Sequence, residues 1–583
     1  MINRAHDQSP TSTPHVRQLD ILVVGAGFAG MYMIYRAREL GLRVLAVDRA
    51  GDVGGTWYWN RYPGARCDVT SLDYSYSFSE ELQQEWRWSE KYATQPEILA
   101  YARHVADRFS LREMIEFNTS VTKAHYDEQA ARWDITTDGK DRLVAQFLVL
   151  ATGCLSAANI PEITGISTFG GRVLHTASWP HENVDVSDRR VGVIGTGSSG
   201  VQSIPILAEH ASHMYVFQRT ANYSLPAHNH PFDQNAVEEW KRNYRGYREI
   251  AKYSRNGIPM KRPEKSTFDV SDSERTATFE EAYDSGQFAR LENTYNDIMT
   301  SKAANDLVSD FVRSNIMKKV SDPSVGRKLL PRMPFATKRV CLDTGYFETF
   351  NRGNVTLVDV KENPIREITY EGVVAGSNTY EIDDLVFATG FDAMTGAVLR
   401  MDIRGRGGQT LTEAWSGGPR TYLGLTTTGF PNCFFITGPG SPSVLSNMMV
   451  SIEQHVDWIA DLVTFMESRQ FASVDAHGKD QEAWVGHVAS VARETLYPEA
   501  DSWYLGANIP GKTRVFMPYV GGVGSYRRRC DEVVRQGYCG FVFDDELYSE
   551  PSDPDRIYGE ADPANSDGEV QTRDGGEGMR SNG

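Results

Sequence analysis

Two short glycine motifs carry the first recognisable chemistry of this chain. Gly25-Ala-Gly-Phe-Ala-Gly30 sets glycines at its first, third and sixth positions. In that spacing the first glycine, Gly25, makes a tight turn. The second, Gly27, lets a pyrophosphate approach the backbone, and the third, Gly30, permits close helix–strand packing. A helix opening there offers free N–H groups and the positive end of its dipole to phosphates. Asp48 stands 23 residues after Gly25, where an acid accepts hydrogen bonds from a ribose diol. Gly195-Thr-Gly-Ser-Ser-Gly200 repeats the spacing with Gly195, Gly197 and Gly200. Thr196, Ser198 and Ser199 fall within the same candidate cofactor contact. The strand that follows ends in Gln218-Arg219-Thr220, with no acid. An arginine at that edge favours a 2′-phosphate, hence NADP(H) over NAD(H). The alternative for Arg219 is a solvated surface charge.

These residues need a particular frame. Asp20-Ile-Leu-Val-Val24 reads as a buried strand, with a helix to about Leu40 stopped by Gly41, and a second strand over Arg43–Asp48. Arg190–Ile194, a helix containing Pro205, and Met214–Gln218 form a second unit of the same kind. Pro205 predicts a kink or a short first segment. Leu148-Val-Leu-Ala-Thr-Gly153 and Leu385-Val-Phe-Ala-Thr-Gly390 are a further internal echo. Together they predict an α/β protein with two Rossmann-like dinucleotide-binding domains, the second inserted in the first. The expected boundaries are 19–155 with 390–545 for the first domain and 156–229 with 331–389 for the second. Residues 230–330 read as a charged helical insertion, clearest over Asn235–Tyr253, Ser273–Tyr283 and Ala303–Val320. Residues 1–18 read as a loose arm and 546–583 as a disordered acidic tail. Gly540–Phe543 reads as the last strand of the first domain.

Composition limits the partners. The 583 residues are 40% hydrophobic and 23% charged, which excludes wholesale disorder and coiled coil. A net charge of −17 makes a poor nucleic-acid binder and gains nothing from an anionic membrane surface. The six cysteines include no CxxC pair, which fits reduced thiols in a cytosol and provides no zinc pattern. Met1–Leu19 has no apolar core of a signal peptide. Thr421–Ile452 is free of charge but rich in Gly, Pro, Thr and Ser, and so reads as loop lining an uncharged cavity rather than a membrane helix. The expectation is a cytoplasmic protein with no membrane or nucleic-acid partner and no metal site.

Two dinucleotide sites in one chain imply two cofactors exchanging electrons, ordinarily a flavin and a nicotinamide. Disulfide reductases share this plan but need a redox cysteine pair, which is missing here. Oxygen is then the obvious electron acceptor. Gly54-Gly-Thr-Trp-Tyr-Trp-Asn-Arg-Tyr-Pro-Gly-Ala-Arg-Cys-Asp68 resembles the long signature of the type I Baeyer–Villiger monooxygenases. Phe169-Gly-Gly-Arg-Val-Leu-His-Thr-Ala-Ser-Trp-Pro180 resembles their short one. The resemblance spans about residues 19–545 and is nearest to the phenylacetone and steroid monooxygenase branch, with Asp48 in place of the commoner Glu.

The resemblance implies FAD, NADP(H) and O2, with a C4a-peroxyflavin that attacks a small hydrophobic ketone to give an ester or lactone. Arg339, in Thr337-Lys-Arg-Val340, is then the cation beside the oxidant, and Asp68 orients it. Lys338 becomes an NADP phosphate contact, although by residue type alone Lys338-Arg339 is an ordinary surface pair. Thr56, Trp57, Tyr62, Tyr74 and Val121 fall to the flavin neighbourhood, and Arg219 and Thr220 to NADP. Trp57 and Tyr62 by themselves are equally core aromatics. Trp503 matches a mobile-loop tryptophan closing over the nicotinamide side, with a buried core aromatic as the alternative. Ser443, Val444 and Leu445 fall where relatives line the ketone pocket. His175, which by type is a candidate general base, becomes a residue of the linker between domains. Two other functions compete: flavin-dependent N- or S-oxygenation, and non-catalytic nucleotide sensing.

Overall fold

The computed structural model describes residues 16–139 and 142–547. Two separate sheets carry the two glycine motifs. The first runs in the order Asp402–Arg404, Val121–Asp127, Arg132–Thr137, Arg142–Leu150, Val16–Val24, Val44–Val47, Ile115–Glu116. Where Arg132–Thr137 leaves the edge of Arg142–Leu150, Cys433–Phe435 takes over that edge in parallel, opposite Leu148–Leu150. The second sheet is wholly parallel, in the order Val355–Asp359, His213–Gln218, Arg190–Ile194, Asp384–Phe387, Arg172–His175. Its strands lie in the chain between those of the first sheet, so the second α/β unit is inserted in the first.

The motif strands are apolar and buried where they approach the glycine turns, over 21–24 and 191–194, because both faces of each sheet are covered there. Ile21 and Val23 face one core with Phe147, Val149 and Phe434. Leu22 and Val24 face another with Leu148, Leu150 and Phe435. Each such side chain, fully buried, contributes about 1.5–3 kcal/mol. The helix Phe28–Glu39 follows the first motif and ends as the sequence predicts. Gly41, at φ 75°, donates to Arg38 O at 2.9 Å, and Leu42 N donates to Ala37 O at 3.1 Å. The long apolar helix Met448–Arg469 joins the same core.

Several elements differ from expectation. Val16, Arg17 and Gln18, expected in the loose arm, extend the first strand, because their backbones pair with Arg142–Val144. The helix around Pro205 is continuous over Ser198–His210. Asn243 interrupts the first insertion helix, leaving Gln234–Arg242 and Tyr244–Tyr253. Within Thr421–Ile452 lie the strand Cys433–Phe435 and the start of the long helix. Phe541–Phe543 does not extend the main sheet. It pairs with Val474–Ala476, and Glu546–Leu547, expected in the tail, pairs back onto it. The rest of the tail and residues 1–15 lie outside the described residues. Among the described residues no helix is long and apolar enough to cross a membrane.

Candidate functional site

The two glycine turns are built alike, and the Ala-Thr-Gly echoes explain why. Gly25 has φ 112° and Gly195 φ 111°, a region that L side chains rarely adopt. A Cβ on Gly25 would stand 2.5 Å from Ala151 O, and one on Gly195 would stand 2.5 Å from Ala388 O. Ala151 and Ala388 are the alanines of the two echoes, each ending a strand that flanks the motif strand. Gly30 and Gly200 pack against their own turns: a Cβ would meet Gly25 O at 1.8 Å and Gly195 O at 2.4 Å. They therefore shape the turns from behind. The middle glycines Gly27 and Gly197 have ordinary negative φ and open the N-termini of the two helices.

Both turns face one cavity of about 1530 Å³. Single small-molecule sites typically span about 300–1,000 Å³, so the space exceeds what one ligand of that size needs. Its wall includes Gly25, Gly27, Asp48, Thr56, Trp57, Tyr62, Asp68, Tyr74 and Val121 from the first half. Gly195, Thr196, Gly197, Ser198, Ser199, Arg219, Thr220, Lys338, Arg339, Val444 and Trp503 complete the predicted set on the wall.

Asp48 is held by two backbone donors, Ala26 N to Oδ2 at 2.6 Å and Ala50 N to Oδ1 at 2.8 Å. Burial raises its pKa, and those two N–H groups oppose the rise. Trp57 Nε1 donates to the Tyr74 hydroxyl at 3.1 Å, which locks the two rings edge to face. Tyr62 donates to Gln202 Oε1 at 2.8 Å, and Gln202 Nε2 donates to Arg66 O at 3.2 Å. Gly64, at φ 83°, lets the loop pass Gln202, where a Cβ would stand 2.4 Å from Gln202 O. The long signature segment is thus clamped to the helix of the second glycine motif. Gln202 has no signal in the sequence beyond its place on that helix.

Arg339 and Asp68 form a two-pronged pair. Nε donates to Oδ2 at 2.8 Å and Nη2 to Oδ1 at 2.7 Å. Nη1 donates to Val444 O at 3.1 Å, and the guanidinium carbon lies 4.6 Å from the Phe288 ring centroid. Burial alone would depress the arginine pKa, but the charge and hydrogen bonds of Asp68 win and raise it. The group is a permanent cation at the cavity wall. Lys338 is more than half buried and lies close enough to Arg219 to feel its charge; burial first, then that cation, lower its pKa, while Asp501 raises it. Neither Lys338 nor Arg219 forms an ion pair among the described residues. Two adjacent cations, neither of them in an ion pair among the described residues, fit a phosphate dianion.

Four predicted residues do not contribute as simple wall contacts. Gly30 and Gly200 lie behind the turns. In the turn Ser443–Leu445 only Val444 faces the cavity. Ser443 is fully buried with its hydroxyl 2.9 Å from Cys154 Sγ, and Leu445 packs into the second hydrophobic core. Ser446, Met448 and Ile452 are on the wall instead, at positions the loop reading of 421–452 did not separate.

His175 is also off the wall. Its Nδ1 accepts from Ala177 N at 2.9 Å, which leaves Nε2 as the N–H, 3.3 Å from Asn159 O. Thr389 Oγ1 donates to the same Asn159 O, and a bridge joins Ala158 to Phe391. Burial lowers the His175 pKa, so the ring is a neutral clasp on both chain crossings between the sheets.

A pyridine nucleotide-disulphide oxidoreductase family model matches residues 22–278. All six cysteines, however, are unpaired and buried. The chain is 44% identical over 528 residues to a Baeyer-Villiger monooxygenase from Pseudooceanicola batsensis, covering 90% of this chain and 96% of the relative. It is 41% identical over 536 residues to a phenazine N-monooxygenase from Lysobacter antibioticus, covering 91% and 98%. The crystal structure of cyclohexanone monooxygenase from Rhodococcus sp. Phi1 bound to NADP+ matches with a TM-score of 0.89 at 42% identity, over 91% of this chain and 99% of that one.

Proposed function

The chain belongs to the Baeyer–Villiger monooxygenases, and from that premise we propose how its own residues divide the work. It is an FAD-dependent enzyme that uses NADPH and O2 to insert one oxygen atom next to a ketone carbonyl. Ketone, O2, NADPH and a proton give ester or lactone, NADP+ and water. Bound flavin supplies hydride acceptance and oxygen activation. The observation that carries the reading is that both glycine cradles and the Asp68–Arg339 pair open on one cavity.

Gly25 and Gly27 hold the FAD pyrophosphate, Gly30 shapes their turn from behind, and Asp48 holds the ribose. Thr56, Trp57, Tyr62, Tyr74 and Val121 enclose the rest of FAD. Gly195, Thr196, Gly197, Ser198 and Ser199 hold the NADP pyrophosphate, with Gly200 behind the turn, and Arg219, Thr220 and Lys338 hold its 2′-phosphate. Residues 19–155 with 390–545 form the FAD domain, and 156–229 with 331–389 the NADP domain. Arg339, oriented by Asp68, stabilises negative charge on the reacting oxygens. Trp503 closes the nicotinamide side. Val444, Met448 and Ile452 give an apolar wall suited to a hydrophobic ketone.

The purified protein should be yellow, and heat or acid should release FAD. Ketones should then accelerate NADPH oxidation and oxygen uptake, with ester formed. The relative named as a phenazine N-monooxygenase keeps N-oxygenation as a second reading. If linear, aromatic and cyclic ketones all fail to give ester while a heteroaromatic nitrogen is oxidised, that second reading stands instead.

NADPH should be preferred over NADH. A charge-assisted contact to the 2′-phosphate contributes about 1.5–3 kcal/mol, or roughly ten- to a hundredfold. Arg219→Ala should raise the KM for NADPH by that factor and leave the KM for NADH nearly unchanged. An equal loss for both cofactors would show that Arg219 acts through folding.

A further inference from the structure

Arg339 reaches Asp68 and Val444 from a stretch of main chain that is itself barely held. Lys338, Arg339 and Val340 lie outside every helix and strand, and among the described residues none of them makes a hydrogen bond from main chain to main chain. Ala336, just before them, has φ 63°, a left-handed conformation that alanine rarely adopts. The path of this segment is therefore set by side chains, and Asn222 is the one that grips it. Its Nδ2 donates to Arg339 O at 3.0 Å and lies 3.2 Å from Cys341 Sγ, while its Oδ1 accepts from Tyr223 N at 3.0 Å. The Cys341 thiol, 3.9 Å from the same Arg339 O, is a weak donor and a distant one.

Asn222 can hold that carbonyl because its own segment is fixed on both sides. After it, Tyr223 O accepts from Cys341 N at 2.9 Å, and the strand Ser224–Pro226 pairs in parallel with Cys341–Asp343. Before it, Thr196 Oγ1 in the second glycine turn donates to Thr220 O at 3.0 Å. Asn222 itself stands on the cavity wall, three residues after Arg219. From the anchored carbonyl the Arg339 side chain runs to Asp68 and to Val444 O. Asp68 lies in a loop as well, so the ion pair alone does not fix where the guanidinium stands. A reacting group has to be held within about 0.5 Å of its productive place. A grip on the Arg339 main chain supplies the second fixed point that this requires.

We propose that Asn222 is a positioning residue for oxygen transfer: by holding Arg339 O it fixes where the Arg339 guanidinium stands on the cavity wall. This rests on the reading of Arg339 as the cation of oxygen transfer. Among the described contacts Asn222 bonds to neither the guanidinium nor Asp68, so it acts through the main chain. Flavin reduction by NADPH does not draw on the Arg339 charge, so loss of the anchor falls on one half-reaction. Oxygen transfer slows, and a larger share of turnovers takes the unproductive course, in which NADPH, O2 and a proton give NADP+ and hydrogen peroxide.

The experiment measures ester and hydrogen peroxide per NADPH consumed in the FAD-loaded enzyme with one accepted ketone, together with the KM for NADPH, rapid-mixing flavin reduction and Tm. Asn222→Ala should lower the ratio of ester to hydrogen peroxide roughly three- to tenfold, the loss expected of one hydrogen bond. Flavin reduction and the KM for NADPH should stay close to wild type. Asn222→Asp keeps the size of the side chain and the acceptor for Tyr223 N, but its carboxylate offers Arg339 O no donor. It should lower the ratio at least as far, and it carries the test should the Ala variant fold poorly. A residue with a merely structural role would lower Tm and slow both half-reactions together, leaving the ratio unchanged, and that result overturns the proposal. So does a variant whose sole change is a raised KM for NADPH, which would make Asn222 a cofactor contact. A wild-type ratio in Asn222→Asp also overturns it. Each of these outcomes leaves the proposed function standing, whereas a wild type with no ester from any ketone overturns the proposed function itself.

Discussion

Arg339→Ala should leave NADPH able to reduce the flavin and should abolish ester formation. Hydride transfer would not build up the negative charge on oxygen that Arg339 is placed to meet, so it should survive loss of the guanidinium. Oxygen transfer differs, because negative charge develops on the attacking and carbonyl oxygens and must be met by a charge already in place. Losing one preorganised donor of this kind costs about 3–4 kcal/mol, or 10²–10³ in rate. Arg339 is preorganised to that degree. Two of its nitrogens are fixed on Asp68 at 2.8 and 2.7 Å, a third on Val444 O at 3.1 Å, and its face lies on Phe288. Arg339→Lys should rescue little, since one ammonium cannot span both Asp68 oxygens and still face the cavity.

Asp68→Ala should be worse for the fold than Arg339→Ala. It leaves a partly buried cation, its side chain 19% exposed, without its carboxylate, a loss that costs about 3–5 kcal/mol for a fully buried pair and less here. The measurement follows NADPH loss, hydrogen peroxide and ester in one sample. Arg339→Ala should oxidise NADPH with hydrogen peroxide as the product. Ester at the wild-type rate from that variant would remove Arg339 from the oxygen-transfer step.

The frame and both phosphate cradles were legible in the chain because they rest on local sequence rules. A glycine with φ above 100°, a helix starting three residues later and an apolar run of strand before it leave a readable pattern, as at Gly25 and Gly195. The Ala-Thr-Gly echo was visible as a repeat, but its reason is spatial: the alanine carbonyl closes over the first glycine of each turn. Arg339 as a bare residue was an ordinary surface arginine. Its role came from the resemblance, and the contact with Asp68, 271 residues earlier, is a product of the fold. Gln202 and Phe288 sit on ordinary helices and gain meaning only from what packs opposite. Ser443 and Leu445 erred for a related reason. A turn of three residues points its side chains in three directions, and only the fold shows that Val444 is the one facing the cavity.

The third and second glycines of the two motifs should fail in opposite ways when changed to alanine. In Gly30→Ala the new methyl would lie 1.8 Å from Gly25 O and 2.8 Å from Gly25 C. Both are backbone atoms, so no side chain can turn away to make room. The helix Phe28–Glu39 would have to move off the strand Val16–Val24, taking its free N–H groups out of line with the phosphates. Overpacking a core costs about 1–3 kcal/mol even where side chains can yield, so the cost here should reach or exceed that range. The variant should be purified largely colourless and with a lowered Tm. Gly197→Ala is the contrast. Its Cβ would meet nothing within 4 Å, and its φ of −82° suits any residue. Fold, Tm and bound FAD should be unchanged. The methyl would, however, project where the second glycine lets a pyrophosphate approach the backbone. Loss of one hydrogen bond to a charged group is worth about 1.5–3 kcal/mol, so the KM for NADPH should rise roughly ten- to a hundredfold. Because the clash is with the pyrophosphate and not the 2′-phosphate, NADH should suffer equally, which separates this variant from Arg219→Ala. Flavin content, Tm and KM for both nicotinamides decide the matter. A Gly30→Ala protein that keeps its flavin and its Tm would show that the first turn is not packed as described. An unchanged KM in Gly197→Ala would mean that the second turn does not hold the nicotinamide dinucleotide.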